Sequence, residues 1–143
     1  MRPVLGLLLA GMLTASSSVL AHHSFQATYD ATKQVTLSGV VTRVEFRNPH
    51  IWVFFDVKDA AGVTNWGCEG GAPNQLFRQG WRPDTLKKGE QITIEGFQAR
   101  NGKTSCNLRV LTRAVDGRRV FAGQANDGAP VIPGAPPAPG GAR

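Results

Sequence analysis

Three histidines are the strongest candidates for chemistry in this 143-residue chain. His22 and His23 are adjacent and follow an apolar N-terminal run, and His50 ends the short sequence Asn48-Pro49-His50. If processing makes His22 the first residue, its free α-amino nitrogen and its ring nitrogen could bind one metal ion together. His23 or His50 would then supply a third nitrogen. Amine and imidazole ligands suit Cu(II), so copper is the predicted metal.

Other arrangements of these ligands stay open. Asp30 and Glu69 are candidate oxygen ligands. Cleavage one residue earlier, after Leu20, would give Ala-His-His, and a histidine in the third position of a free N-terminus also chelates copper or nickel. The opposing interpretation is that the histidines are exposed polar residues and that His50 only hydrogen-bonds a turn. A closed structural zinc site is not expected, because the cysteines lack ligand spacing.

The first 21 residues have the order of a secretory signal peptide. The charged start Met1-Arg2-Pro3 precedes an apolar run from Val4 to Leu13, and small residues then lead to a cleavage site after Ala21. The apolar run is shorter than the roughly 20 residues that a membrane-spanning helix needs. The sequence therefore predicts a periplasmic or secreted protein with no membrane span and no nucleic-acid partner.

The two cysteines, Cys68 and Cys106, are predicted to form a disulfide. Their number is even and the predicted compartment is oxidising. No CxxC or CxxCH spacing indicates zinc, thioredoxin-like or c-type haem chemistry. Two buried free thiols are the alternative. Because a cysteine in a disulfide is a poor nucleophile, Cys68 and His50 are not expected to form a catalytic pair. No other catalytic constellation is recognisable, so the protein is predicted not to be an enzyme.

The elements that must position these residues are mostly strands. Stretches of β-branched and alternating apolar residues predict five strands, at residues 34–46, 51–58, 63–69, 91–97 and 105–113. A short helix is predicted to begin at Pro73 and to end near Gly80. In the first strand, apolar residues alternate up to Leu37, and the alternation resumes at Val40, one residue out of phase. This slip at Gly39 predicts a bulge or a sharp coil.

The order of these elements predicts a mainly β protein, a small five-stranded OB-like barrel with one short helix between strands three and four. In such a barrel the third and fifth strands are neighbours, which would bring Cys68 and Cys106 together on the apolar face. An immunoglobulin-like sandwich is the alternative, but it needs about seven strands and fits the helix poorly. The barrel is expected to span residues 22–121, and the Pro/Gly/Ala-rich residues 122–143 are expected to form a disordered tail.

Several short motifs resemble those of a family of small exported bacterial proteins, a domain of unknown function. The motifs are HHSF at residues 22–25, NPH at 48–50, WGCE at 66–69 and LFRQGW at 76–81. The resemblance covers nearly all of residues 22–121. It implies a secreted single-domain protein, and it brings no established activity, cofactor or catalytic residue.

A second candidate surface combines aromatic and basic residues. Trp52 and Phe54 alternate with apolar residues on the second strand and are expected to face outward, on the surface where OB-like barrels bind ligands. The loops expected beside them carry Arg47, Asn48, Arg100 and Lys103. With the formal net charge of +6, this surface suits an anionic glycan or envelope polymer. The opposing interpretation is that the N-terminal segment or the helix covers Trp52 and Phe54. An envelope interaction protein without a small ligand is the third hypothesis.

Overall fold

The computed structural model describes residues 25–138 and consists mainly of β-strands. The six strands are β1 Tyr29–Glu45, β2 Trp52–Asp59, β3 Gly62–Glu69, β4 Gln91–Ala99, β5 Ser105–Arg113 and β6 Arg119–Phe121. The two short helices are α1, Phe25–Thr28, and α2, Pro73–Arg78. The predicted helix between the third and fourth strands is confirmed as α2. Neither α1 nor β6 was predicted from the sequence.

Two sets of sequence predictions concern residues outside this range. The predicted signal peptide, residues 1–21, lies there, and so do His22 and His23. Within residues 25–138, no helix has the length and apolar character needed to cross a bilayer.

The first five strands form a ring. β1 pairs with both β2 and β4, β4 pairs with β5, and β3 closes the ring by pairing with β5. The β3–β5 pair is parallel, whereas the other pairs of the sheet are antiparallel. β6 adds to the outer edge of β5. This arrangement confirms the mainly β, barrel-like, OB-like fold that the order of the elements predicts.

β1 contacts two neighbours because it changes partner at Val40, which is paired with both β2 and β4. Gly39 is needed at this crossing, since a Cβ there would lie 2.3 Å from the backbone oxygen of Asp56. The register against β2 shifts between Val41 and Arg43, which marks the bulge. As a result Val41 is buried, whereas Val40 is 40% exposed. The sequence-based assignment of Val40 to the inner face was therefore wrong.

The interior of the ring is filled by apolar side chains from all five strands. The main ones are Val41, Ile51, Val53, Phe55, Cys68, Ile92, Ile94, Cys106, Leu108 and Leu111. Leu76 of α2 and Trp81 complete this core. Each buried side chain of this size stabilises the fold by roughly 1.5–3 kcal/mol. The ring is therefore a firm frame for the groups on its outer side.

Cys68 and Cys106 form the predicted disulfide, which is confirmed. They are directly paired in the β3–β5 ladder, and the next pair along it is Glu69 and Asn107. Successive side chains of a strand point to opposite faces. The disulfide lies in the core, so Glu69 and Asn107 lie on the outer side of the same seam.

Residues 122–138, where the sequence predicts a disordered tail, lie along the outer side of the ring. Ala122 and Ile132 are buried. Ile132 belongs to a second apolar cluster whose other buried members are Phe25, Tyr29, Phe97 and Ala99. The backbone nitrogen of Phe25 donates to the backbone oxygen of Asp127 at 3.2 Å. We call residues 122–138 the C-terminal segment. It is in direct contact with α1.

Candidate functional site

A small polar cleft opens on the outer side of the β3–β5 seam. Its volume is about 20 Å³, which is room for one water-sized group. Its lining includes Phe25, Tyr29, His50, Glu69, Asn107 and Asp127, which we call the cleft residues. They come from α1, β1, the β1–β2 loop, β3, β5 and the C-terminal segment, so the cleft depends on tertiary packing.

Glu69 is the centre of the hydrogen bonds in the cleft. The hydroxyl of Tyr29 donates to Glu69 Oε2 at 2.5 Å, and His50 Nδ1 lies 2.6 Å from Glu69 Oε1. The side chains of His50 and Glu69 are 25% and 23% exposed. The sequence marked both residues as candidate metal ligands, and the fold brings them into direct contact.

Backbone pairing explains why His50 lies beside Glu69. The next residue, Ile51, is fully buried. Its nitrogen donates to Gly71 at 3.1 Å, and its oxygen accepts from Gly70 at 2.9 Å. A Cβ on Gly70 would lie 2.7 Å from the Ile51 side chain, so the close approach requires glycine. The segment that follows Glu69 therefore holds the β1–β2 loop, and His50 with it, against β3.

Tyr29 is a stable hydrogen-bond donor in this cleft. Its side chain belongs to the buried cluster under α1. Burial raises the pKa of Tyr29 well above its ordinary value, and the hydrogen bond to the Glu69 carboxylate raises it further. Tyr29 therefore keeps its proton throughout the neutral range and continues to donate to Glu69.

Asp127 forms the opposite wall of the cleft together with Arg109. The guanidinium of Arg109 donates to the two carboxylate oxygens of Asp127 at 3.0 and 3.1 Å. Both side chains are only 8% exposed. Burial lowers the pKa of Arg109, and the Asp127 carboxylate opposes that shift. The wall is thus a buried ion pair between β5 and the C-terminal segment.

Asn107 lines the cleft and carries a buried acceptor without a partner among the described residues. The residue is 4% exposed, and its amide nitrogen lies 3.4 Å from Asp127 Oδ2. Among the described residues, Asn107 Oδ1 has no hydrogen-bond partner. A buried acceptor without a partner costs about 1–3 kcal/mol.

The second predicted surface lies on the outer side of β1 and β2, and we call Arg43, Trp52 and Phe54 the aromatic face. The Trp52 and Phe54 rings are stacked with centroids 6.1 Å apart, and the Arg43 guanidinium lies 3.9 Å from the Phe54 centroid. Phe54 packs directly on Gly67, where a Cβ would lie 2.9 Å from the ring. Trp52 pairs with Glu69 in the β2–β3 ladder, so the aromatic face adjoins the cleft.

The polar loop residues predicted to flank this face have different surroundings. Arg47 forms an ion pair with Glu45 at 2.6 Å and is 74% exposed. Arg100 donates to a backbone oxygen of α1 at 2.6 Å, which ties its loop to that helix. Asn48 and Lys103 are exposed in their loops.

The described residues alone do not form a metal-ligand cluster. Within residues 25–138, no three His, Cys, Asp or Glu side chains come together in a way that could hold a metal ion. The candidate ligand Asp30 is partly buried, and its carboxylate accepts hydrogen bonds from Thr32. A metal at the cleft would need further ligands from outside this range. The predicted ligands His22 and His23 lie there.

Sequence analysis missed several of the cleft residues. Asn107 and Arg109 occupy outward positions of a barrel strand, where polar residues are ordinarily exposed. Nothing in that pattern indicates that the C-terminal segment covers them. Asp127 lies in a stretch whose composition is typical of disorder, and Tyr29 precedes the strand that the sequence predicted.

The fold and the cleft define a small β-protein with an OB-like ring and a polar cleft on its outer side. The chain matches the model of a family of unknown function, DUF6152, over residues 10–108. The match covers more than half of the chain, and the protein belongs to this family. The matched region includes His50, Glu69 and Asn107 and ends before the C-terminal segment. No curated protein matches the chain.

Proposed function

We propose that this protein is an exported, non-catalytic binding protein that holds a transition metal, with copper as the best candidate, at the cleft. Signal cleavage before His22 would create a terminal amine beside its imidazole. His50 or His23 would supply the third nitrogen. The observation that carries the proposal is that Phe25, three residues after His22, lines the same cleft as His50.

The length of the chain supports this arrangement. Three residues of extended chain span at most about 10–11 Å. Phe25 is held to Asp127 through its backbone nitrogen, which fixes one end of that tether at the cleft. A mature N-terminus at His22 would then be within reach of the cleft that Phe25 and His50 both line. A tether of this length would not reach His50 from the opposite side of the ring.

The chemistry of the cleft supports a cation of this class. Amine and imidazole nitrogens are ligands that favour Cu(II) over other divalent ions. The Glu69 carboxylate adds negative charge next to His50. The volume of about 20 Å³ suits an ion or a water molecule.

Copper titration of correctly processed protein tests the proposal. Mass spectrometry first establishes whether the mature chain begins at His22. That protein is expected to bind Cu(II) at a single site. An added methionine before His22, or the substitution His50→Ala, should weaken binding by at least ~10-fold. Asn48→Ala, in the same loop, is the control and should leave affinity unchanged.

Two outcomes of the titration would contradict the metal site. Equal affinity with a free and a blocked N-terminus would exclude the amine as a ligand. Equal affinity for the wild type and His50→Ala would exclude His50 as a ligand and leave His23 as the remaining candidate for the third nitrogen.

A binding module for an anionic glycan or envelope polymer is the second candidate function. The stacked rings of Trp52 and Phe54 beside Arg43 favour it, because aromatic faces offer flat apolar area to sugar rings. Arg47, Asn48, Arg100 and Lys103 remain the proposed polar contacts. The affinity for such a ligand would decrease with salt and would not change when a chelator is added.

A glycan array at low and high salt, with wild type and Trp52→Ala, tests this second function. Retention that disappears in Trp52→Ala would support it. The absence of both copper and glycan binding would favour the third hypothesis, an envelope interaction protein without a small ligand.

A further inference from the structure

The hydrogen bonds around Glu69 bear on which nitrogen of His50 is available to a metal. A neutral imidazole carries its proton on one ring nitrogen, and only the other nitrogen has a free lone pair. His50 contacts Glu69 through Nδ1. Among residues 25–138, His50 makes its side-chain hydrogen bond at Nδ1 and none at Nε2.

The carboxylate form of Glu69, which can only accept, determines the direction of the His50–Glu69 hydrogen bond. The Tyr29 hydroxyl donates to Oε2 of Glu69, and His50 faces Oε1. An ionised carboxylate has no proton to donate and only accepts. The proton shared with Oε1 therefore belongs to His50 Nδ1, and the lone pair lies on Nε2.

We propose that Glu69 is a positioning residue, which holds His50 in the Nδ1–H tautomer and presents Nε2 as the ligand atom. The inference rests on the proposed metal-binding function and names the atom that would perform it. Histidines that bind metals commonly donate their second ring N–H to a carboxylate, which fixes the ring and increases its basicity.

This role replaces direct coordination by Glu69. Both carboxylate oxygens already have partners, Tyr29 on one side and His50 on the other. Turning an oxygen towards a metal would break one of these hydrogen bonds. Tyr29 thus holds the carboxylate in the orientation that His50 needs.

Nitrogen-15 NMR of the metal-free processed protein tests the tautomer directly. The wild type is expected to show a protonated Nδ1 and an unprotonated Nε2 at His50. Tyr29→Phe removes the second donor but leaves the acceptor, so it should keep this tautomer. Glu69→Ala removes the acceptor and should give the mixture of tautomers of a solvated imidazole. Glu90→Ala is the matched control, because Glu90 is 21% exposed, is paired with an arginine and lies outside the cleft.

Copper affinity of the same variants tests the consequence. Glu69→Ala should weaken Cu(II) binding by about 10–100-fold, whereas Glu90→Ala should bind as the wild type does. Wild-type affinity in Glu69→Ala, or a protonated Nε2 in the wild type, would overturn the inference while leaving the copper site intact. If copper does not bind the wild type at all, the proposed function is wrong, and so is the positioning role that rests on it.

Discussion

The cleft and the aromatic face are neighbours on the outer side of the ring, but different contacts hold them. They meet where Trp52 pairs with Glu69. The aromatic face comes from two adjacent strands: the Phe54 ring packs on Gly67, and the Trp52 ring and the Arg43 guanidinium stack against Phe54. The cleft joins α1, three strands, a loop and the C-terminal segment through polar contacts.

This difference predicts how the two regions respond to damage. Stacked rings lose contact area gradually when one member is removed. A polar network that is mostly buried loses more, because each missing partner leaves a donor or acceptor without compensation. Changes to distant segments should therefore affect the cleft more than the aromatic face.

Asp127→Ala should produce the largest loss in the free energy of unfolding, and it should disturb the cleft. It leaves the buried Arg109 guanidinium without its carboxylate, and breaking a buried ion pair costs about 3–5 kcal/mol. Urea denaturation measures the loss in free energy of unfolding. Asp116→Ala is the control, because Asp116 is 43% exposed, and it should change stability by about 0.5 kcal/mol or less. A similar small change for Asp127→Ala would contradict the importance of this wall.

Replacing both Cys68 and Cys106 by alanine should cost nearly as much. The disulfide closes a loop with a sequence separation of 38, and chain entropy assigns such a loop about 3–4 kcal/mol. Because Glu69 and Asn107 follow the cysteines in the ladder, the cleft should open more often than the aromatic face. Hydrogen exchange should increase at Glu69 and Asn107 more than at Phe54. Equal increases would remove the distinction between the two regions.

Alkaline pH should weaken the cleft through Tyr29, the single tyrosine of the chain. Its pKa in the folded protein is raised above the unfolded value of about 10. Its contribution to stability is therefore complete below pH 10 and is lost as the pH rises further. The free energy of unfolding should fall by up to about 1.4 kcal/mol per pH unit above pH 10, relative to Tyr29→Phe.

Tyrosinate absorbance follows Tyr29 directly in the same experiment. The native protein should ionise well above pH 10, and protein unfolded in urea should ionise near the ordinary value. Coincident titration curves for the two states would show that Tyr29 is not held by burial and Glu69.

Trp52→Ala should have the smallest effect on stability, and this effect should be limited to the aromatic face. Loss of the stacked pair with Phe54 should cost about 0.5–1.5 kcal/mol beyond the lost burial. Copper affinity should not change, although Trp52 is paired with Glu69. Denaturation and copper titration of this variant check both statements. A tenfold loss of copper affinity would mean that the two regions act as one site.

Much of the ring followed from local pattern. β5 has the predicted bounds, residues 105–113; β2 begins and ends one residue later than predicted, and β3 begins one residue earlier. Alternation on a half-buried surface carries this information because one slip would turn every apolar side chain outward. The disulfide followed from the same logic, since neighbouring third and fifth strands bring Cys68 and Cys106 together.

The errors lie where one element contacts two others. β1 begins at Tyr29, before the predicted start, because it continues along β4 to Ala99. Val40 is exposed, against the prediction, and Val41 is buried, because the bulge falls after Val41 and not at Gly39. The sequence of one strand does not show at which residue it stops pairing with one neighbour and begins pairing with another.

Of the cleft residues, the sequence marked only His50 and Glu69 as candidates for function. His50 and Glu69 were both candidates from residue type, but their contact depends on the backbone pairing of Ile51 with the segment after Glu69. Whether His22 and His23 join them stays a prediction, because they lie outside the described residues.

The sequence by itself determined the five strands of the ring, the disulfide and the residue types that are candidate metal ligands, because each depends on residue type and short spacing. The tertiary structure decided that Tyr29, His50, Glu69 and Asp127 share one cleft. The physical reason is that burial on the outer face of the seam comes from α1 and the C-terminal segment. Their few apolar side chains acquire a position only when the completed ring gives them a surface to cover.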